Sequence, residues 1–149
     1  MKESTISIYN KLFDAYPHLE ICRQSIVDAY RIIKTCYMEN GKLLICGNGG
    51  SAADSEHIVG ELMKGFLLKR RPDQEMIEKL KKSYPDTWKY FADNLQGALP
   101  AISLTNHPAL SSAFANDVAP DMVFAQQVFG YANEEDVLIG GFPPWTHSK

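Results

Sequence analysis

Gly47-Asn48-Gly49-Gly50-Ser51 follows directly on the apolar run Leu43-Leu44-Ile45-Cys46 and leads into a stretch of helical periodicity. Strand, glycine loop and helix in that order form a means of holding phosphate. Small residues let the backbone turn sharply and approach a ligand with no Cβ in the way. The first N–H groups of the next helix lack partners within it and carry the positive end of its dipole, so an anion settles there. The Ser51 hydroxyl can add a donor. His57 and Glu61 stand four apart on the same predicted helix, hence on one face. An imidazole beside a carboxylate is a donor pair that a metal ion can use. Alone, such a pair more often means a solvated helix face. Its interest is its place about two turns beyond the phosphate grip, so that a sugar phosphate could run from one to the other.

Two other readings compete for the loop. Gly47-x-Gly49-x-x-Ala52 meets the loose dinucleotide fingerprint, which needs a second strand about 20 residues on, ending in an acidic residue. The corresponding region here is basic and helical around Lys69, and the next strand ends at Leu104-Thr105-Asn106. The third reading is a tight turn with no ligand.

The elements that must position these residues can be read from periodicity. Ser4 or Thr5 caps a first helix ending near Tyr16-Pro17, and a second runs from about His18 to Glu39, stopped by Asn40-Gly41. Residues 1–40 are thus expected to form an N-terminal helical arm, of a kind that often packs against another subunit. Leu43–Cys46, Ala101–Leu104 and Val137–Ile139 are short apolar runs of the kind found in strands buried on both faces of a parallel sheet. Helices are predicted from Ala52 to about Leu68, Ala109 to Asn116 and Asp121 to Tyr131. Residues 69–97 read as a helical insertion, two short surface helices broken at Pro85. The basic triplet Lys69-Arg70-Arg71 that opens it is expected to be a solvated helix end. Alternating strands and helices make this an α/β chain with a mainly parallel sheet.

With 149 residues, 45% of them hydrophobic and 22% charged, the chain fits one soluble globular domain. A formal net charge of −3 gives no bulk attraction to nucleic acid or an anionic membrane surface. Cys22, Cys36 and Cys46 show neither CxxC spacing nor an even count, which favours a reducing compartment over a disulfide framework. The N-terminus lacks the apolar run of a signal peptide, and no segment is long enough to span a bilayer. The expectation is a cytoplasmic, soluble protein without nucleic-acid or membrane partners.

The loop, followed by Asp54, His57, Glu61 and Leu62, closely resembles the phosphoheptose isomerases among the SIS (sugar isomerase) domains. The likeness continues through Pro100–Leu104, Ala115-Asn116-Asp117, Phe124-Ala125 to Val128, and Asp136–Gly140. It implies a SIS-type parallel-sheet sandwich with flanking helices over 41–140, represented here by three N-terminal strands. It also implies interconversion of sedoheptulose 7-phosphate and a heptose 7-phosphate by a zinc-containing homotetramer. On the matching positions, Asn48, Gly49 and Gly50, and then Asn116 and Asp117, would contact substrate. His57 and Glu61 would be zinc ligands, and Glu61 also the carboxylate that shuttles a proton through an enediol. Glu61 stays open as ligand, as base, or as both in turn. A sugar phosphate other than a heptose, or a non-catalytic SIS module that binds sugar phosphate or acts as an adaptor, are the alternatives.

After Gly140 the family continues with a serine-rich second phosphate loop. This sequence instead reads Gly141-Phe142-Pro143-Pro144-Trp145-Thr146-His147-Ser148-Lys149. Residues 141–149 are accordingly expected to be a divergent tail on a truncated or frameshifted chain. The family's remaining Gln and His zinc ligands would be missing, activity impaired, and an apolar sheet face uncovered.

Overall fold

The computed structural model describes residues 3–65, 67 and 69–141; the expected tail, apart from Gly141, lies outside them. The chain divides into two compact units, Met1–Thr35 and Cys36–Lys149.

The first unit holds helix α1 (Glu3–Ala15), a 3-10 segment (Pro17–Cys22) and most of α2 (Arg23–Met38). The long second helix expected from His18 therefore starts later. Arg23 accounts for the break: its guanidinium lies 3.9 Å from the centre of the Phe13 ring and grips Glu20, while the Tyr9 hydroxyl donates to its carbonyl at 3.2 Å. These contacts hold a tight turn where Pro17 has already removed an N–H. Asn40 takes a φ of 61°, the left-handed stop expected after α2.

In the second unit, β1 (Leu43–Gly47), β2 (Ala101–Ser103) and β3 (Val137–Gly141) form a parallel sheet in the order β2-β1-β3. Leu43, Leu44 and Ile45 align with Ala101, Ile102 and Ser103 on one side and with Val137, Leu138 and Ile139 on the other. As the central strand, β1 is buried along its whole length, as its unbroken apolar run predicts. Helix α3 (Gly50–Met63) packs against all three strands. On the opposite face Leu44, Cys46 and Leu104 form a core with Ile102, and with Phe124 and Val128 of α7 (Val123–Tyr131). Leu138, in register with Leu44, is 51% exposed on β3.

Between β1 and β2 the chain makes α4 (Gln74–Ser83) and α5 (Trp88–Asn94), the two helices expected around Pro85. They meet through Tyr84 and Phe91, whose ring centres are 5.3 Å apart, and through Lys81 over the Trp88 ring. Between β2 and β3 come α6 (Pro108–Asp117), a 3-10 turn (Pro120–Met122) and α7.

At the amino end of the sheet, Lys42 and Asp136 lock β1 to β3. The Lys42 amide and ammonium donate to the two Asp136 carboxylate oxygens at 2.8 and 2.5 Å, and the Asn133 amide adds a third bond at 2.8 Å. Burial pushes the Asp136 carboxyl up, but the bonds from Lys42 and Asn133 outweigh it and hold its pKa below the usual carboxylate range.

Candidate active site

The loop leaves β1 at Gly47 and enters α3 at Gly50. Gly47 must be glycine because the chain doubles back on it: a Cβ there would stand 2.7 Å from the Ser51 Cβ and 2.8 Å from the Ser51 carbonyl. Gly49 is needed for another reason. Its φ of 55° and ψ of −123° suit a residue without a Cβ, although nothing lies within 4 Å of where that Cβ would be. The carbonyls of Asn48 and Gly49 accept from Ser51 and Ala52 at 3.1 Å each. Among the described residues, the Gly49 and Gly50 N–H groups have no partner. Two donors at the positive end of a fourteen-residue helix thus face open space.

A cleft of about 610 Å³ opens at this point, lined by Gly47, Asn48, Gly49 and Ala52, with Thr105 and Asp121 across it. It lies past the carboxyl end of β1, where ligands bind in parallel sheets. Among the described residues the lining contains no cation, so attraction for an anion there comes from backbone dipoles, while Asp121 offers an acceptor to a hydroxylated ligand. Thr105 is held in place from behind. Gln127 of α7, 1% exposed, donates at 3.0 Å to the Leu104 carbonyl, and the Thr105 hydroxyl bonds Ser103 at 2.7 Å and Glu56 at 3.2 Å.

The structure does not bring every expected site residue into this cleft. Asn48 and Gly49 line it and Gly50 adjoins it. Ser51 instead turns toward the sheet, against the ends of β1 and β3 at Gly47 and Gly141. Asn116 and Asp117 end α6 outside the lining, 3.4 Å apart through their side chains. His57 and Glu61 lie on the side of α3 turned away from buried Ser55. His57 is exposed, and the Glu61 carboxylate has one loose neighbour, Lys64 at 3.9 Å, a contact worth little at such exposure.

As a zinc site, His57 and Glu61 supply two donors of suitable chemistry one turn apart. No third His, Cys, Asp or Glu joins them among the described residues, whereas a four-coordinate site needs more than a pair. The described residues therefore do not assemble a zinc site. Among them no helix is long and apolar enough to cross a membrane.

Thr105 and Asp121 were not legible as site residues, although Thr105 follows β2 at the end where ligands bind. Arg70 is the clearest correction. The basic triplet belongs to no helix, and Arg70 turns inward, its Nε donating to the Gly97 carbonyl at 2.8 Å and its Nη2 reaching the carbonyls of Leu62 and Glu61 at 2.5 and 3.4 Å. α3 also ends at Met63, short of the expected Leu68: Lys64 is extended and the Gly65 amide donates to the Gln96 side chain. The rest of that expectation falls partly on Phe66 and Leu68, outside the described residues.

Residues 18–95 match the family model for the SIS domain. The chain is 35% identical over 121 residues to a phosphoheptose isomerase of Campylobacter jejuni, covering 81% of this chain and 51% of that protein. It is 37% identical over 122 residues to one from Helicobacter pylori, covering 81% and 47%. The solved structure of the Neisseria gonorrhoeae phosphoheptose isomerase superposes with a TM-score of 0.59 at 28% identity, over 93% of this chain and 58% of that one. The chain thus spans about half the length of the curated relatives it matches.

Proposed function

This chain belongs to the SIS-domain family, and from that premise we propose that it carries the phosphate grip and the base of an isomerase that interconverts sedoheptulose 7-phosphate and a heptose 7-phosphate. The observation that carries the reading is the β1–α3 junction, with its two unpartnered amides, in a chain about a third identical to proteins named phosphoheptose isomerase. Glu61 lies eleven residues into α3 from Gly50, about 16 Å along the axis. Its side chain leans back toward the grip, as helix side chains do. That separation suits an open-chain sugar of many carbons better than a triose.

In the proposed reaction the loop amides hold the phosphate at the start of α3. Glu61 takes the C–H proton next to the carbonyl, the electron pair left behind forms the C=C bond of an enediol, and the carbonyl oxygen takes a proton from solvent that the neighbouring hydroxyl gives back to solvent when the new carbonyl forms. Glu61 then returns its proton to the former carbonyl carbon as the carbonyl forms on the neighbour. No step is routed through zinc. If the protein holds zinc, His57 and Glu61 are the residues we assign to it.

A homo-oligomer, with four copies as the family likeness implies, is part of the proposal. An apolar groove of about 340 Å³ in the N-terminal unit, lined by Ile8, Leu12, Ile26 and Tyr30 among others, supports a contact with a second copy. Sedimentation velocity across a range of concentrations tests it. The isomerase reading is tested by following sedoheptulose 7-phosphate with the native protein and with Glu61→Gln. Retained sugar-phosphate binding without turnover in either would make it a binding module instead.

A further inference from the structure

The last carbonyls of a helix have no partners within it and carry the negative end of its dipole. At the end of α3 those carbonyls belong to the turn that bears Glu61. The Gly60 carbonyl accepts from Lys64 at 3.2 Å and the Leu62 carbonyl accepts from Leu99 at 2.9 Å. The Arg70 guanidinium meets the carbonyls of both Glu61 and Leu62 from one side while its Nε holds the Gly97 carbonyl. A planar fork with several donors at fixed angles is suited to tying these groups together. The Gly97 amide donates back to the Arg70 carbonyl at 2.6 Å, so the two ends of the α4–α5 excursion close on each other at the foot of α3.

We propose that Arg70 is the positioning residue for Glu61: by capping the carbonyls of Glu61 and Leu62 it fixes the last turn of α3, and with it the Glu61 carboxylate. The excursion is thereby fastened to the helix that carries the base. Arg70 touches no substrate in this account. The inference rests on Glu61 being the base, and the experiment separates the two.

Isomerisation is measured for the protein and for Arg70→Ala, Arg70→Lys, Glu61→Gln and the double variant Glu61→Gln/Arg70→Ala, with Arg71→Ala as a control for lost charge. The expected result is a kcat reduced about a hundredfold in Arg70→Ala at nearly unchanged KM, since small misplacements of a reacting group cost that much. Arg70→Lys recovers part of it, Arg71→Ala is unaffected, and Arg70→Ala costs nothing further once Glu61→Gln is present. Should Arg70→Ala fail to fold, Arg70→Lys carries the test, its thermal melt matching the native protein while kcat falls. If Glu61→Gln abolishes turnover and every folded Arg70 variant keeps the native kcat, the positioning role is wrong and the isomerase reading stands. If Glu61→Gln turns over normally, the base assignment fails and the role of Arg70 falls with it.

Discussion

Ser51 sits so close beneath Gly47 that the smallest possible side chain on Gly47 would meet its Cβ at 2.7 Å. The two residues form the hinge between β1 and α3, and their contact aims the start of α3, with the Gly49 and Gly50 amides, at the cleft.

Gly47→Ala is therefore expected to push α3 off the end of β1. Overpacking of this kind costs about 1–3 kcal/mol, and binding of sugar phosphate should fall with the displaced amides. Calorimetric melts and titration with sedoheptulose 7-phosphate check both effects. An unchanged melt would show that the hinge yields.

Gly49→Ala meets no neighbour, so its cost is backbone strain, about 1–3 kcal/mol, or relief of that strain by a flipped loop. Phosphate binding should weaken more than stability does, because the residue whose backbone must change is the one that donates. Isothermal titration beside a thermal melt separates the two. A larger loss of stability than of binding would contradict the assigned grip.

How much of this was legible beforehand depended on where the information resides. The three strands could be placed from the short apolar runs Leu43–Cys46, Ala101–Leu104 and Val137–Ile139, but burial on both faces holds for β1 and not for β3, where Leu138 is 51% exposed. The Gly47–Ser51 loop and the helices around Pro85 were readable because glycine opens backbone conformations that other residues avoid and proline restricts the backbone locally. Arg70 was not. A charged triplet beside acidic residues looks solvated, and only the return of the chain at Gly97 supplies the carbonyl that turns Arg70 inward. The outward setting of His57 and Glu61 relative to the cleft was likewise hidden, since spacing gives a shared face but not the direction in which it points.

Removing Asp136 tests the lock at the far end of the sheet. Asp136 is 4% exposed and Lys42 21% in their side chains, so Asp136→Ala leaves a half-buried ammonium unpaired. A loss of about 3 kcal/mol is expected, the lower end for a broken buried pair because water still reaches Lys42. The folded pKa of Asp136 lies below its unfolded value. Its contribution is therefore complete above about pH 3.9 and is lost as the pH falls through the lowered folded value. Melts taken across that window should fall more steeply for the native protein than for Asp136→Asn. Parallel curves would contradict the lock.

Gln127→Leu leaves the Leu104 carbonyl without its buried donor. A cost of about 1–3 kcal/mol follows from the unsatisfied group, together with slack at Thr105 on the cleft wall. Chemical denaturation measures the first, and hydrogen exchange at the amides around Thr105 the second. No change in either would assign Gln127 a passive place in the core.

The account turns on Glu61, and the most direct measurement is the interconversion of sedoheptulose 7-phosphate and heptose 7-phosphate by the native protein and by Glu61→Gln, with sugar-phosphate binding measured in both. The account predicts turnover by the native protein and a loss of about a hundredfold or more in Glu61→Gln, the range for a removed general base, while binding at the loop persists. Equal turnover by the two proteins, or binding by both without any turnover, would contradict it.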